Sequence, residues 1–392
     1  MTVDEAKRQT SPDRMLLAIV LALATWGLLT LFSVSQQLPN GPMYYLTRQA
    51  IYIALGMAMM LGLIQVDLSK INRPKVVYAI LGVCVFLLLC VWIPGIGHKA
   101  NGAYRWISVG PINLQPSEFT KAAIVIYYAH YLSKIGEKIR DPLYGVLPMA
   151  GVTAIFVALI AWEPDLGGAA VFCMLLFVML FLAGVQKRFL AGVLGVGVLF
   201  VVSQIWLAPW RLRRLLAFLF PTDESLFGVN WQPWQAKIGI GVGGWFGAGY
   251  GNGWQKAFYV PEIHTDFILA HIGEELGLLG LLVLFGLFFV LIWRTIRITA
   301  KATDSFLRFL GIGAGTLIGI QVVINAAVVM SLLPNKGLSL PWFSAGGSNT
   351  LLNFILMGVI LSAARHCEAE AIAQNRVIHV LARRELAGAA GD

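Results

Sequence analysis

The stretch "VPEIHTDFILAHIGEELGLLG", Val260 to Gly280, begins polar, turns apolar and runs on into "LLVLFGLFFVLIW" (281–293). About 20 mostly apolar residues are what a membrane-crossing helix needs. Three acids interrupt the pattern. Asp266 stands at the threshold, between His264-Thr265 and Phe267-Ile268. Glu274 and Glu275 follow eight and nine residues on, about 12–13 Å deeper at helical rise. Neighbouring residues on a helix point about 100° apart, so this pair is not a chelating one.

The rest of the chain has the same character. Of its 392 residues 58% are hydrophobic and 12% charged, with mean hydropathy +0.75. Soluble domains are closer to a quarter charged, so the composition excludes one. It indicates an all-α polytopic membrane protein with about ten transmembrane helices, at roughly 15–35, 47–66, 76–95, 118–133, 144–161, 166–184, 188–207, 266–293, 306–332 and 348–364. The fourth is the most polar, interrupted by Lys121, Tyr127, Tyr128 and His130. The first 14 residues are polar and the first apolar run is a full span, so a cleavable leader is not expected. Cys84, Cys90, Cys173 and Cys367 have no metal-ligand spacing and suggest no disulfide framework.

The net charge of +9 is spread between apolar runs, which argues for membrane orientation and against nucleic-acid binding. Lysines and arginines gather in the connections after the second, fourth, sixth and eighth spans and in both tails. Both termini are therefore expected in the cytoplasm, with a tail at 1–14, one membrane domain at 15–364 and a second tail at 365–392. The large loop 208–265, between helices 7 and 8, is then extracytoplasmic. The Gly-, Pro- and Trp-rich connections all fall on that outer side, where the chemistry is expected.

Each candidate has a plain reading beside a functional one. At the mouth of a span, Asp266 reads first as a helix cap. An apolar wall can also raise a carboxylate pKa and suit it to general-base work. Glu274 and Glu275 are either hydrogen-bonded structural acids or lie on a polar path. In "QPSEFTK", Ser117 fits an N-cap, and Glu118 and Lys121 share a helix face as an ion pair or a site. Arg105 and Lys336 are outer cations that suit phosphate. Glu163 and Asp165 in "EPDLGG" read as a tight turn and only weakly as metal ligands. "GIGVGG" (239–244) lacks a βαβ setting, so it is not a dinucleotide site; its glycines suit a re-entrant or closely packed segment.

Taken in order, "NGAYRWI…LQPSEFTK", "EPDLG", "GGWFGAGYGNGWQK", "VPEIHTDFILAHIGEELG" and "LLPNKGLSLP…GGS" resemble the SEDS family (shape, elongation, division and sporulation) of bacterial cell-wall polymerases, over essentially the whole chain. "NKGLSLP" is similar to the FtsW, or division, branch rather than the RodA, or elongation, branch. The resemblance implies a peptidoglycan glycosyltransferase that polymerises lipid II on the outer face of the bacterial cytoplasmic membrane, with undecaprenyl pyrophosphate leaving. It also implies a class B penicillin-binding protein and other division or elongation proteins as partners. The family's essential aspartate falls on Asp266. Candidate substrate-binding residues are Arg105, Glu118, Lys121, Gln235, His264, Lys336 and Ser348. A divalent cation, Mg or Mn, is an open expectation, with no ligands assigned. The family's EPDLGT reads EPDLGG here, and its SYGGSS reads "SAGGSN", with Ala345 and Asn349. A lipid II flippase and a non-catalytic division scaffold are the rival classes.

Overall fold

The computed structural model describes residues 10–100, 103–109, 112–255, 260 and 262–389. Twelve longer helices are numbered here: α1 (Arg14–Ser35), α2 (Gly41–Gln65), α3 (Pro74–Cys90), α4 (Pro116–Ile135), α5 (Leu147–Trp162), α6 (Leu166–Leu182), α7 (Lys187–Trp206), α8 (Pro209–Leu219), α9 (Trp231–Gly243), α10 (Ile268–Thr299), α11 (Ser305–Val329) and α12 (Gly347–Ala389). Their starts follow local chemistry. Proline occupies the first turn of α2, α3, α4, α5 and α8, where its missing N–H costs nothing. Asp13, Asp165 and Asp304 cap α1, α6 and α11 by accepting amides of Leu16 (2.9 Å), Gly168 (3.0 Å) and Phe306 (2.8 Å).

Every expected span lies on a helix. Among the described residues seven helices are long and apolar enough to cross a membrane, namely α1, α2, α5 with the turn before it, α7, α10, α11 and the first part of α12. α3 and α6 are shorter apolar helices. The tenth, α4, is polar because it is enclosed by protein. Lys121, Tyr127, Tyr128 and His130 are all buried. Lys121 pairs with Glu118 at 2.6 Å, Tyr128 shares a hydrogen bond with Thr153, and His130 Nδ1 lies 2.7 Å from Asn72 Oδ1. Polar groups are tolerated at membrane depth where such partners exist. Its N-cap is Gln115, without a side-chain cap bond, rather than Ser117.

Two features depart from the helix-only expectation. Between α3 and α4 lies a three-stranded antiparallel sheet, β1 (Gly97–Ala100), β2 (Ala103–Val109) and β3 (Ile112–Leu114). His98 pairs with Trp106, and Ile107 with Leu114. The long connection before α10 is also not a plain loop, since α8 and α9 form within it. Apolar and basic residues alternate in "PWRLRRLLAFL" with an amphipathic helical pattern.

α10 is broken. Gly277 adopts φ 65° and ψ −164° inside it, a conformation that glycine tolerates. A Cβ on Gly273 would lie 3.3 Å from Leu281 Cδ1, although eight residues of straight helix would separate them by about 12 Å. The chain therefore turns back sharply, giving a front half (268–276) and a rear half (278–299). The glycine-rich segment after α9 closes the break. Ala248 N and Gly249 N donate to Glu274 O and Glu275 O, while Leu278 N and Leu279 N donate to Gly244 O and Trp245 O. The helix ends freed by the break are thus satisfied by backbone. Close approach requires the glycines, because a Cβ on Gly243 would stand 2.0 Å from Gly273 O and one on Gly247 2.1 Å from Glu275 O.

Candidate active site

All the constrained connections meet at the end of the bundle that carries the sheet. Asp266 lies in the turn 262–267 that feeds the front half of α10, its N–H donating to Glu262 O at 3.1 Å. It is not the helix cap: Phe267 holds that position, with no side-chain cap bond. Neighbouring elements fix the backbone here. Asn325 of α11 donates from Nδ2 to Asp266 O (3.0 Å) and to Leu338 O (2.6 Å). Ser344 Oγ donates to Thr265 O, and Ala345 N to His264 O (2.8 Å).

The carboxylate of Asp266 rests against Gly337 of the "NKGLSLP" loop. A Cβ there would come within 2.3 Å of Asp266 Oδ2, so only glycine permits the approach. Among the described residues no donor bonds the Asp266 carboxylate. Burial, then the charges of Glu262 and Asp165, push its pKa up to about 7, with Arg105 pulling the other way. That places the group near the range useful to a general base.

The residues flanking Gly337, Lys336 and Leu338, line a cavity of about 300 Å³. Its wall is apolar, built from Leu166, Met174, Val201, Ile205, Trp210 and Val328, and Arg211, Arg214 and Lys336 lie along it. Arg214 Nη1 donates to Asn335 O (3.3 Å) and Arg211 Nη1 to Gln204 O (3.0 Å), while Arg211 Nε is buried without a partner. Among the described residues none of these three cations is in an ion pair. Burial, then Arg214 and Arg211, lower the Lys336 pKa to about 8. The cluster is short of negative charge.

Arg105, on β2, does not face open solvent as a free anion binder. Its Nε donates to Glu163 O (2.9 Å) and its Nη2 to Pro164 O (2.6 Å), pinning the "EPDLGG" turn. Asp165 folds over Gly168, where a Cβ would lie 2.6 Å from Asp165 Oδ2. The threonine of the family pattern would require this carboxylate to move. Glu163 is fully buried with both carboxyl oxygens unpartnered. Burial and Asp165 push its pKa up to about 8, with Arg105 opposing.

The other candidates separate into groups. Ser348 Oγ accepts Gln115 N (2.8 Å) and so holds the start of α4, which carries the Glu118–Lys121 pair; among the described residues no bond joins this group to Asp266. Gln235 lies on the buried face of α9 with Ala236, Gly239 and Gly243, the face that packs on α10, and is not among the residues lining the cavity. His264 stacks edge-on to Tyr45 at 5.3 Å, with Nδ1 buried and unpartnered, and burial lowers its pKa. Glu274 and Glu275 do not lie deeper than Asp266. Glu275 is bonded by Ser33, two residues from the end of α1. Ser344, which holds Thr265, is bonded by Gln49, eight residues inside α2. These are about 3 Å and about 12 Å from the helix ends. The folding-back at Gly277 is the reason.

Arg211 and Arg214 had no place in the sequence reading. The available signal was three arginines in the amphipathic segment 209–219, on the side where cations run against the orientation bias.

Comparison with known proteins identifies the family. The family described as cell cycle protein, which groups FtsW, RodA and SpoVE, matches residues 13–369. A probable peptidoglycan glycosyltransferase FtsW from Trichlorobacter lovleyi is 41% identical over 89% of this chain and 92% of its own. The stage V sporulation protein E of Bacillus subtilis is 36% identical over 92% and 98%. Among solved structures, a chain from a peptidoglycan synthase complex that coordinates polymerization and crosslinking superposes with TM-score 0.76 at 28% identity, covering 91% of this chain and 98% of that one. The rod shape determining protein RodA of Thermus thermophilus gives TM-score 0.68 at 25% identity, covering 91% and 97%. The chain belongs to the FtsW/RodA/SpoVE family, and within it is of the FtsW type.

Proposed function

We propose that this protein is a peptidoglycan glycosyltransferase that polymerises lipid II at the outer face of the cytoplasmic membrane, as part of the division machinery. The observation that carries the reading is the loop at 336–338. Its central residue touches the Asp266 carboxylate and its two flanking residues line the cationic cavity. A base and a site for a lipid-linked anion are thereby placed side by side.

In this reading the apolar wall takes the first isoprene units of an undecaprenyl chain. Arg211, Arg214 and Lys336 face its pyrophosphate. Asp266 accepts the proton from the 4-hydroxyl of the acceptor GlcNAc as that oxygen attacks the anomeric carbon of the lipid-linked glycan. The bond to pyrophosphate breaks in the same displacement, so configuration inverts, and the cations stabilise the charge developing on the leaving group. The distribution of lysine and arginine supports an outer location for the site. Among the described residues no three His, Cys, Asp or Glu side chains are placed to hold a metal ion. We therefore route no step through Mg or Mn.

The FtsW relatives and the lysine of "NKGLSLP" support a division rather than an elongation role. The likeness to a chain of a peptidoglycan synthase complex supports a class B penicillin-binding protein as partner. The flippase alternative finds one feature in its favour, the broken α10, since transporters bind ions and substrates at such breaks. Here backbone from residues 244–249 fills the break, which supports the polymerase instead.

The test is polymerisation of purified lipid II by the protein reconstituted with its transpeptidase partner. Asp266→Ala should abolish glycan strands while the protein stays folded. Strand formation at near wild-type rate would refute the assignment of the base.

A further inference from the structure

Glu274 and Glu275 have no part in the chemistry above, yet they are among the most heavily hydrogen-bonded side chains at this end of the bundle. Glu274 Oε1 accepts the amides of Trp254 (2.6 Å) and Gln255 (3.1 Å), and its Oε2 also accepts Gln255 N (3.2 Å). Glu275 Oε1 accepts Ser33 Oγ of α1 (2.7 Å) and Gly253 N (3.3 Å), and lies 3.2 Å from His271 Nε2. Both side chains are buried. Gly253 is required for the approach, because a Cβ there would stand 2.9 Å from Glu274 Oε2 and 3.1 Å from His271 Cε1.

These bonds matter because of the break at Gly277. A continuous helix would fix the direction of residues 268–276 through its own ladder. Here Leu278 N and Leu279 N bond elsewhere, so the helix ladder does not carry the register of the rear half into the front half. The front half is a rigid rod with Asp266 just before one end and the two glutamates at the other. Its nine residues span about 13 Å, so a tilt of about 5° about the glutamates moves the far end by about 1 Å. Displacements of that size can cost about 100-fold in rate.

We propose that Glu274 and Glu275, with Ser33, form a latch that sets the direction of the front half of α10 and so positions the Asp266 carboxylate on Gly337. They are positioning residues that touch no substrate. The catalytic consequence rests on the polymerase reading above; the latch itself does not. Among the described residues, the charged groups facing Asp266 are Glu262 on its own turn, Asp165 ahead of α6 and Arg105 on β2. Releasing the latch leaves these in place, but lifts the carboxylate off Gly337 toward water. Its pKa then falls toward the ordinary aspartate range.

The experiment uses the full chain in lipid nanodiscs, as wild type, Glu274→Gln and Glu275→Gln, with Glu274→Asp and Ser33→Ala as milder variants should either glutamine variant fail to fold. Two readouts are taken. Amide hydrogen exchange across 268–276 should speed up about tenfold or more, with α11 unchanged, because the side-chain bonds that close its 274–275 end are lost. With purified lipid II, kcat should fall about tenfold or more at little-changed KM. The acidic limb of the pH–rate profile should move to lower pH. Unchanged exchange in 268–276 overturns the latch, whatever the enzyme does. A rate loss equal at every pH, with the limb unmoved, reduces the pair to a structural role and also overturns it. If the wild type itself makes no glycan, the polymerase reading fails, and the exchange arm still decides the latch.

Discussion

The two ends of the front half of α10 carry acids in opposite circumstances. At one end Asp266 is half-buried, faces two other carboxylates and, among the described residues, bonds no donor. At the other, Glu274 and Glu275 are buried among the backbone amides of residues 253–255 and the hydroxyl of Ser33. A carboxylate supplied with donors is fixed in place by them and serves structure. One deprived of them keeps a basicity that chemistry can use. Sequence spacing alone does not separate the two cases; the surrounding donors do.

The hardest test of that contrast is Asp266→Asn, which keeps the shape and removes the base. It should lower polymerisation of lipid II about 10²–10⁴-fold in a purified assay, the range a positioned base supplies. A loss under about threefold would equate the two ends. Gly337→Ala leaves every charge intact but places a methyl group on the Asp266 carboxylate. It should cost about 100-fold in kcat through misplacement, measured beside a melting curve showing a folded protein. Lys336→Ala removes one charge-assisted contact to a phosphate, worth about 1.5–3 kcal/mol. That predicts a fall of about 10–100-fold in kcat/KM for the lipid-linked donor; an unchanged kcat/KM removes the lysine from the donor site.

Smaller effects follow from pH. A base must be ionised, so with an Asp266 pKa of about 7 activity should fall as pH drops through 7, seen as the acidic limb of the pH–rate profile. A limb near pH 4 would show a well-solvated Asp266. Glu163 is held neutral by burial, with a pKa of about 8. The stability its neutral form contributes is lost as pH rises through that value. Wild type should therefore lose a few degrees of Tm between pH 7 and 9, about 2–4 °C per kcal/mol in a domain of 150–250 residues and less in a chain this long. Glu163→Gln should lose less. Equal losses in both would show that Glu163 is already ionised.

Much of this was legible in the chain itself. Apolar run lengths located α1–α7 and α10–α12, because a span needs about 20 mostly apolar residues. Charge spacing gave an expected orientation. The family motifs drew attention to Asp266, Lys336 and the "EPDLGG" turn. Three things depended on the tertiary structure. The meeting of Asp266 with Gly337 joins residues 71 positions apart, and no local pattern encodes that distance. Arg211 and Arg214 gained meaning only when α8 came to lie over α6, α7 and α11. The reversal at Gly277 altered the reading of the glutamates, because counting residues along a helix measures depth only while the helix runs straight. Sequence fixes the periodicity that each segment can satisfy by itself; which polar groups end with donors and which without is settled when the segments close on one another.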